Sequence, residues 1–428
     1  MGALTSGASA PIVVGTMFGM ARTTGYVRTF FKTSRFFAAL SAIVILLAAM
    51  SGGPAGPVAA QQSDAVAYTT KAKRAILMDA ETGAILYQFN ADELAPPASM
   101  SKLMTLAVLF RAIRSGKVKT SDELVMSVNA WRKGGAPSGT SAMFVPVNTK
   151  ARIDELIQGI AVQSGNDACI AVAEGLSGSE AAFAKAMTEE ARRIGLTKST
   201  FANSTGLDDP QQLMTMRELA ILARYLITEY PEHYSVFGQK EFLYRKHKFY
   251  NRNPLLFLGI GADGLKTGHT ADAGFGLVAS AVKDGKRLIL VVGGMANAND
   301  RKLEATRLFE WGFKSFSRVK LYDDGEVIGQ ARVWGGTQMY VPLAGKGAVT
   351  MTLPKYPANQ RLSAEIVYKA PLKPPVKKGD QVATLKVVST STASTEIPLY
   401  ATEDVDKAGI LRQGLDSLVL MALRRLAL

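Results

Sequence analysis

The chain has 428 residues, which at about 150 residues per domain allows two or three domains. Hydrophobic residues make up 47% and charged residues 20%, which excludes a wholly disordered chain, and the single cysteine, Cys169, excludes an internal disulfide framework. The net charge of +14 favours acidic surroundings such as an anionic membrane surface or a cell-wall polymer. A nucleic-acid partner is disfavoured, because no basic stripe is interleaved with aromatic residues.

An export signal is predicted over residues 1–60. Basic residues precede an apolar run from Phe36 to Met50, and its 15 residues are fewer than the roughly 18 to 20 that span a bilayer. The small residues that follow suit cleavage after Ala60. The alternative is a signal anchor that stays attached. The pattern predicts an exported protein whose mature chain begins at Gln61.

Strands are predicted to open and close the segment 61–316, with helices between them. The stretch 73–90 predicts a hairpin that turns at Glu81-Thr82-Gly83, and the stretch 275–294 predicts another that turns at Asp284-Gly285. Helices are expected from about Ser99 to Arg114 and over residues 149–163, 179–195 and 214–230. Together these elements predict a layered α+β domain.

The composition changes after about Ser317. Short β-type runs separated by glycine, proline and charged residues predict a small all-β domain over residues 317–402. The last segment, 403–428, has apolar residues at near-helical spacing with basic residues mostly on the other side. This pattern predicts an amphipathic helix that lies on a membrane surface, and the alternative is a helix docked on its own domain or on a second copy.

Ser99 and Lys102 form the first candidate for chemistry. Three residues apart on a helix, their side chains share one face, and a serine hydroxyl needs an adjacent base to act as a nucleophile. The apolar neighbours predict that Lys102 is buried, which would lower its pKa and let it act as that base. The spacing alone is weak evidence, because Ser280 with Lys283 and Ser317 with Lys320 reproduce it in strand-like segments.

Ser164-Gly165-Asn166 is the second candidate, directly after an apolar helix. A hydroxyl and an amide on a tight glycine turn would bind a substrate amide and pass a proton to a leaving nitrogen. The alternative is a helix N-cap for the segment that starts at Asp167 or Ala168.

Lys266-Thr267-Gly268 is the third candidate and occurs once in the chain. On an edge strand, Lys266 and Thr267 would bind a carboxylate, and Gly268 would let a substrate approach the backbone. The alternative is a solvated hairpin turn. In this order, the three motifs form the set found in penicillin-binding proteins and class A β-lactamases.

On these motifs the chain resembles the low-molecular-mass penicillin-binding proteins, which are serine-type D-alanyl-D-alanine carboxypeptidases. The wording "PASMSKLMT", "QSGNDA" and "DGLKTGHT" carries the resemblance, "NRN" at residues 251–253 also fits, and the similarity extends from about Ala67 to the C-terminus. The resemblance implies a transpeptidase-like domain with an antiparallel sheet flanked by helices, then the β-domain and the anchoring helix. It implies no cofactor and no metal.

The catalytic roles that the resemblance implies fall on three residues. Ser99 would be acylated by the substrate carbonyl with loss of the terminal D-alanine, Lys102 would accept its proton, and Ser164 would pass a proton to the departing amine. Where many relatives have histidine-glycine-leucine-aspartate, this chain has Thr205-Gly-Leu-Asp208. A role of that histidine in deacylation is therefore not carried over.

The substrate-binding roles are implied in the same way. Asn166 would hold the substrate amide, Lys266 and Thr267 its terminal carboxylate, and the backbone N–H groups of Ser99 and His269 would form the oxyanion hole. Arg301, 35 residues after Lys266, is expected to face the carboxylate, although the wording "MANANDRK" around it departs from the family's. Cys169 is expected to be a small buried core residue.

Two alternatives share these motifs. A class A β-lactamase would need a glutamate that drives deacylation, and "MREL" at residues 216–219 is the one faint candidate. A non-catalytic penicillin-binding scaffold would keep the fold without turnover. The favoured reading is a wall enzyme on the periplasmic side of the inner membrane, with the peptidoglycan stem peptide as substrate, β-lactams as inhibitors, a membrane surface as partner and no nucleic acid.

Overall fold

The computed structural model describes residues 26–29, 68–356, 362–389 and 395–426. The described residues form two compact units, one from Tyr68 to Phe316 and the other from 317 onward together with Tyr26–Thr29. The predicted export signal lies outside the described residues except for Tyr26–Thr29. Among the described residues, no helix combines the length and the apolar character needed to span a membrane.

Both units contain strands. In chain order they are β1 (Tyr26–Thr29), β2 (Arg74–Asp79), β3 (Ile85–Phe89), β4 (Glu123–Val125), β5 (Lys150–Arg152), β6 (Glu241–Tyr244), β7 (His247–Tyr250), β8 (Ala262–Thr270), β9 (Gly274–Lys283), β10 (Lys286–Met295), β11 (Phe316–Tyr322), β12 (Gly329–Arg332), β13 (Tyr340–Ala344), β14 (Val349–Pro354), β15 (Leu362–Lys369), β16 (Gln381–Ser389) and β17 (Thr395–Ala401).

Helices fill the middle of the first unit and end the chain. They are α1 (Lys102–Arg114), α2 (Val128–Gly134), α3 (Ile153–Gln158), α4 (Asn166–Ser177), α5 (Glu180–Arg193), α6 (Met216–Glu229), α7 (Pro231–Tyr234), α8 (Ala298–Ser315) and α9 (Ile410–Leu426). Short 3₁₀ turns occupy Ala98–Ser101, Ala136–Ser138, Ser235–Gly238 and Pro254–Phe257, and Gly159–Gln163 is a π-helical turn.

The first unit is built on an antiparallel five-stranded sheet in the order β3-β2-β10-β9-β8. Successive side chains of β10 point to opposite faces. Leu288, Leu290 and Val292 pack in the core that α8 covers, and Ile289 and Val291 pack in the core that contains α1 and α6. Helices therefore cover both faces of the sheet, which confirms the predicted α+β class, and both predicted hairpins are present.

Helix α1 runs through the larger of these two cores. Every residue from Lys102 to Phe110 is buried, as the apolar character of the sequence around the whole helix predicts. The predicted helix over residues 149–163 is partly wrong. Lys150–Arg152 is a strand, α3 spans only Ile153–Gln158, and the π-helical turn completes the segment before Ser164.

The second unit confirms the predicted all-β domain. Its larger sheet has the order β1-β15-β16-β17-β13-β12, and β11 pairs with β14. Apolar side chains from these strands form a core of their own. Strand β1 pairs with β15, with Val27 opposite Tyr368, so cleavage after Ala60 would remove this edge strand.

Candidate active site

Ser99 lies in the 3₁₀ turn Ala98–Ser101, and α1 begins only at Lys102. The chain is tightened here because the N–H of Met100 donates to the carbonyl of Pro97, three residues back. In 3₁₀ geometry, side chains three residues apart are eclipsed. Ser99 Oγ and Lys102 Nζ accordingly lie 2.7 Å apart. The predicted contact is present, although the predicted α-helix from Ser99 is wrong for the first turn.

Lys102 is completely buried, and its amine has two partners. Besides Ser99, Nζ donates to the backbone carbonyl of Thr205 at 2.5 Å. Burial is the main cause that lowers the pKa of Lys102 to about 8. Arg252 acts in the same direction, and Cys169 and Asp167 act in the opposite one. A sizeable fraction of the amine is therefore neutral near pH 8, as a general base requires.

Ser164 sits between the π-helical turn and α4 in the left-handed conformation, with φ 65° and ψ 33°. It does not cap α4, because the N-cap is Gly165 and no side chain caps that end, so the N-cap alternative is wrong. Its Oγ is buried and has no partner among the described residues. Asn166 donates from Nδ2 to Thr140 Oγ1 at 2.9 Å and leaves Oδ1 unpartnered. Both groups are thus available to a substrate.

Lys266 and Thr267 lie on β8, which is the edge strand of the sheet, as predicted. Both are buried, so the solvated-turn alternative is wrong. A Cβ at Gly268 would lie 2.9 Å from the carbonyl oxygen of Pro97, which shows how closely this strand approaches the Ser99 turn. Burial, and then the cations of Lys102, Arg252 and Arg301, lower the pKa of Lys266 well below its ordinary value, while Cys169 acts in the opposite direction.

A cleft of about 320 Å³ opens beside Ser99, Ser164 and Thr267, whereas Lys102, Asn166 and Lys266 do not line it. Its lining residues are Ser99, Ser141, Ser164, Arg252, Thr267, Gly268, His269, Phe275 and Arg301. Arg301 extends into it from α8, with its guanidinium carbon 5.8 Å from the centre of the Phe275 ring and its Nε unpartnered. Burial lowers the pKa of Arg301. The two residues of the predicted oxyanion hole, Ser99 and His269, both line the cleft.

Three lining residues were missed from the sequence. Arg252 donates to Ser141 Oγ at 2.5 Å across the cleft wall, and the ring of Phe275 contacts that of His269, tilted by 30° with ring centres 3.9 Å apart. Of these three residues, only Arg252 was indicated by the sequence, where it is the central residue of the "NRN" motif. The flanking Asn251 and Asn253 donate to backbone carbonyls, and so fix the turn that presents the arginine. Cys169 is buried in the core, as predicted.

Glu218, the glutamate of the "MREL" segment, is occupied elsewhere. Its carboxylate accepts from the N–H groups of Lys198 at 2.8 Å and Ser199 at 2.7 Å, and it does not line the cleft. It therefore anchors the loop before it, and the structure gives the β-lactamase alternative no deacylating glutamate at this position.

Chemically, the cleft combines a serine with a buried amine, a second free hydroxyl and a wall of cations. The serine and amine form a nucleophile with its base. The cations of the cleft lining are Arg252 and Arg301, and Lys266 lies buried on β8, whose Thr267 lines the cleft. Such cations suit a substrate that ends in a carboxylate. This arrangement supports acyl transfer from such a substrate to Ser99.

Comparisons with known proteins agree with this chemistry. Residues 59–297 match the family described as D-alanyl-D-alanine carboxypeptidase, and residues 316–407 match the C-terminal domain of penicillin-binding protein 5. D-alanyl-D-alanine carboxypeptidase DacC of Escherichia coli (strain K12) is 36% identical over 377 residues, which cover 88% of this chain and 92% of DacC.

Two solved structures are similar as well. Penicillin-binding protein 5 from Haemophilus influenzae has 33% identity and a TM-score of 0.71 over 80% of this chain and 99% of that chain. Penicillin-binding protein D2 from Listeria monocytogenes in its ampicillin-bound form has 29% identity and a TM-score of 0.51 over 56% of this chain and 97% of that chain.

Proposed function

We infer that this chain, which belongs to the D-alanyl-D-alanine carboxypeptidase family, removes the terminal D-alanine from peptidoglycan pentapeptide stems. It does so as a serine-type hydrolase, through an acyl-enzyme on Ser99. The observation that carries the residue assignment is the 2.7 Å contact between Ser99 Oγ and the buried amine of Lys102. That contact lies against the edge strand that bears Lys266.

Acylation begins when neutral Lys102 takes the proton of Ser99 and Oγ attacks the carbonyl carbon of the penultimate D-alanine. The backbone N–H groups of Ser99 and His269 stabilise the oxyanion. As the C–N bond breaks, Ser164 gives its proton to the leaving nitrogen and receives in turn the proton that Lys102 took from Ser99, so that Lys102 is neutral again and free D-alanine departs. Water then attacks the ester, which releases the shortened peptide and restores the Ser99 hydroxyl. The unpartnered Oγ of Ser164 supports its role.

Substrate binding rests on the cationic wall. The terminal carboxylate meets Lys266, Thr267 and Arg301, and the amide of the stem peptide meets Asn166. A bound carboxylate favours the charged form of Lys266, which compensates for its burial. β-Lactams carry a carboxylate beside a strained amide, so they acylate Ser99 in the same way. The ampicillin-bound form of the Listeria neighbour is consistent with such binding.

Release of D-alanine from a pentapeptide that ends in D-Ala-D-Ala tests this proposal. The purified protein is expected to release one D-alanine per peptide and to form a long-lived adduct with fluorescent penicillin. Normal labelling without D-alanine release would favour the scaffold. Rapid turnover of penicillin with regeneration of free enzyme would favour a β-lactamase.

We propose that the protein is exported and acts on the periplasmic side of the membrane, to which α9 attaches it. Ile410, Leu411, Leu415 and Leu418 of α9 are exposed. On the other side of the helix, Asp416 accepts from the N–H of Gly335 at 2.9 Å. A helix that docks through a polar side and leaves its apolar side free fits a membrane interface better than the docked-helix alternative.

Removal of residues 408–428 is expected to free the protein from membranes without loss of D-alanine release, because the active site lies in the first unit. Co-sedimentation with vesicles that contain anionic lipid measures the binding. A Leu411→Ser/Leu415→Ser variant should also dissociate, whereas Gln413→Ser, on the docked side, should stay bound. Retention of the truncated protein on the vesicles would contradict the anchor.

A further inference from the structure

The loop over residues 202–206, here called the carbonyl loop, is held by side chains rather than by a helix or a sheet. All five of its backbone N–H groups donate to side-chain oxygens between 2.7 and 3.2 Å away. The acceptors are Gln212 Oε1 for residues 202 and 203, Glu180 Oε1 for residue 204, and Asn203 Oδ1 for residues 205 and 206. A loop with every donor engaged has one well-defined conformation.

Two successive carbonyls of this loop bind the face of α1 that carries Lys102. The carbonyl of Ser204 accepts from Thr105 Oγ1 at 2.7 Å, and the carbonyl of Thr205 accepts from Lys102 Nζ. Gly206 has φ +79°, and a Cβ there would lie 2.5 Å from Ser101 Oγ. The carbonyl loop therefore packs directly on the turn that bears Ser99.

We propose that Asn203 is a positioning residue for the acylation step: by holding the N–H groups of Thr205 and Gly206, it aims the Thr205 carbonyl at Lys102 and directs the lone pair of that amine at Ser99. The inference rests on the proposed function, since it assigns no chemistry to Asn203 itself. The contact to Lys102 comes from the backbone of Thr205 and therefore does not depend on the threonine side chain.

The geometry of an amine makes such an anchor necessary. Neutral Lys102 has two N–H bonds and one lone pair, and its terminal bond rotates freely. Fixing one N–H on an acceptor limits the rotation of the neutral amine and favours the orientation in which its lone pair faces Ser99 Oγ. The charged or titratable groups around Lys102 are Asp167 and Cys169 on α4, Arg252 and Lys266. None of them accepts a hydrogen bond from Nζ within the described structure, so the Thr205 carbonyl supplies the anchor.

Asn203→Ala tests the proposal. The rate of acylation by fluorescent penicillin is measured from pH 5 to 10 and divided by the fraction of molecules that label at completion. The maximum rate per active molecule is expected to fall about tenfold, a part of the 10²–10⁴ that a general base contributes. A carbonyl acceptor favours the ammonium, so its loss lowers the pKa of Lys102. In the plot of acylation rate against pH, the rising limb on the acidic side should therefore move to lower pH by about half a unit to one unit.

Asn203→Asp is the rescue variant, because a carboxylate accepts the same N–H groups. Its maximum rate is expected to lie within about threefold of the wild type, with the acidic limb moved to higher pH by the added negative charge. Asn129→Ala is the matched control, since the exposed side chain of Asn129 has Glu174, at 2.8 Å, as its one hydrogen-bond partner among the residues that the structure describes. Its rate and pH profile should equal those of the wild type.

The outcomes separate the possibilities. If Asn203→Ala lowers only the fraction that labels, with rate and limb unchanged, Asn203 is merely structural and the proposal is overturned. It is overturned as well if Asn203→Asp is as slow as Asn203→Ala. If the Asn203→Ala protein does not fold, the Asn203→Asp variant decides: the proposal is overturned if the acidic limb of its acylation rate against pH lies where that of the wild type lies. A wild-type protein that penicillin does not acylate would instead refute the proposed function.

Discussion

Ser99→Ala is expected to release no measurable D-alanine, a loss of at least about 10⁴-fold, and to form no penicillin adduct. Removing a catalytic nucleophile commonly reduces kcat by about 10⁶, since the remaining groups still bind substrate but cannot form the acyl-enzyme. D-alanine release from the pentapeptide measures the first effect. Mass spectrometry of the tryptic peptides after labelling of the wild type should locate the adduct on Ser99.

Ser317→Ala is the matched control, because Ser317 stands three residues before Lys320 in the same spacing. These two residues lie on strand β11, where that spacing does not bring the side chains together as a helical turn does. Full activity and full labelling are expected. An adduct on any residue other than Ser99, or release of D-alanine by Ser99→Ala, would refute the assignment of the nucleophile.

Much of the site follows from the sequence because its parts are local. The order of the three motifs, the apolar circumference of α1 and the hairpin β9–β10 all depend on residues close together in the chain. The edge position of Lys266 was predicted as well. Ser280 and Lys283 have the same spacing as Ser99 and Lys102, but they lie on strand β9, as the strand-like sequence there predicts. In each of these cases the local structure is determined by residues that are close together in the sequence.

The parts that the sequence did not reveal depend on contacts between distant segments. Ser141 and Arg252 meet across the cleft although 111 positions separate them. The late start of α1 reflects the tightening of the chain after Pro97, and the left-handed conformation of Ser164 follows a π-helical turn that no periodicity indicates. The carbonyl loop was not predicted either, because two of its three acceptors, Gln212 and Glu180, lie outside the loop, and only Asn203 lies within it.

Lys102→Met is expected to reduce acylation by penicillin at least about 10³-fold, because it removes the base while retaining most of the side-chain volume. In the wild type, the acylation rate should rise with pH through about 8, where the amine loses its proton. The variant should lose this acidic limb together with the rate. Lys283→Met is the matched control, since Lys283 is exposed and follows Ser280 in the same spacing, and its rate should be unchanged.

Stability distinguishes loss of chemistry from loss of fold in this variant. Burial lowers the pKa of Lys102 to about 8 from 10.5, so the unfolded chain binds more protons between these values, and wild-type stability attributable to Lys102 rises with pH across that window. Below pH 8 the buried ammonium costs about 3 kcal/mol. Lys102→Met removes this cost but leaves the Thr205 carbonyl unpaired, which costs about 1–3 kcal/mol, so the exchange is neutral or favourable at that pH.

Thermal unfolding measured from pH 7 to 10.5 checks this expectation. At pH 7 the Lys102→Met protein should unfold at a temperature no lower than the wild type, and its advantage should shrink as the pH approaches 10.5. A variant that is less stable at pH 7 would contradict the buried, destabilising amine. An inactive variant that is at least as stable means that Lys102 occupies the core for its reactivity, since a side chain kept for packing would make the fold more stable.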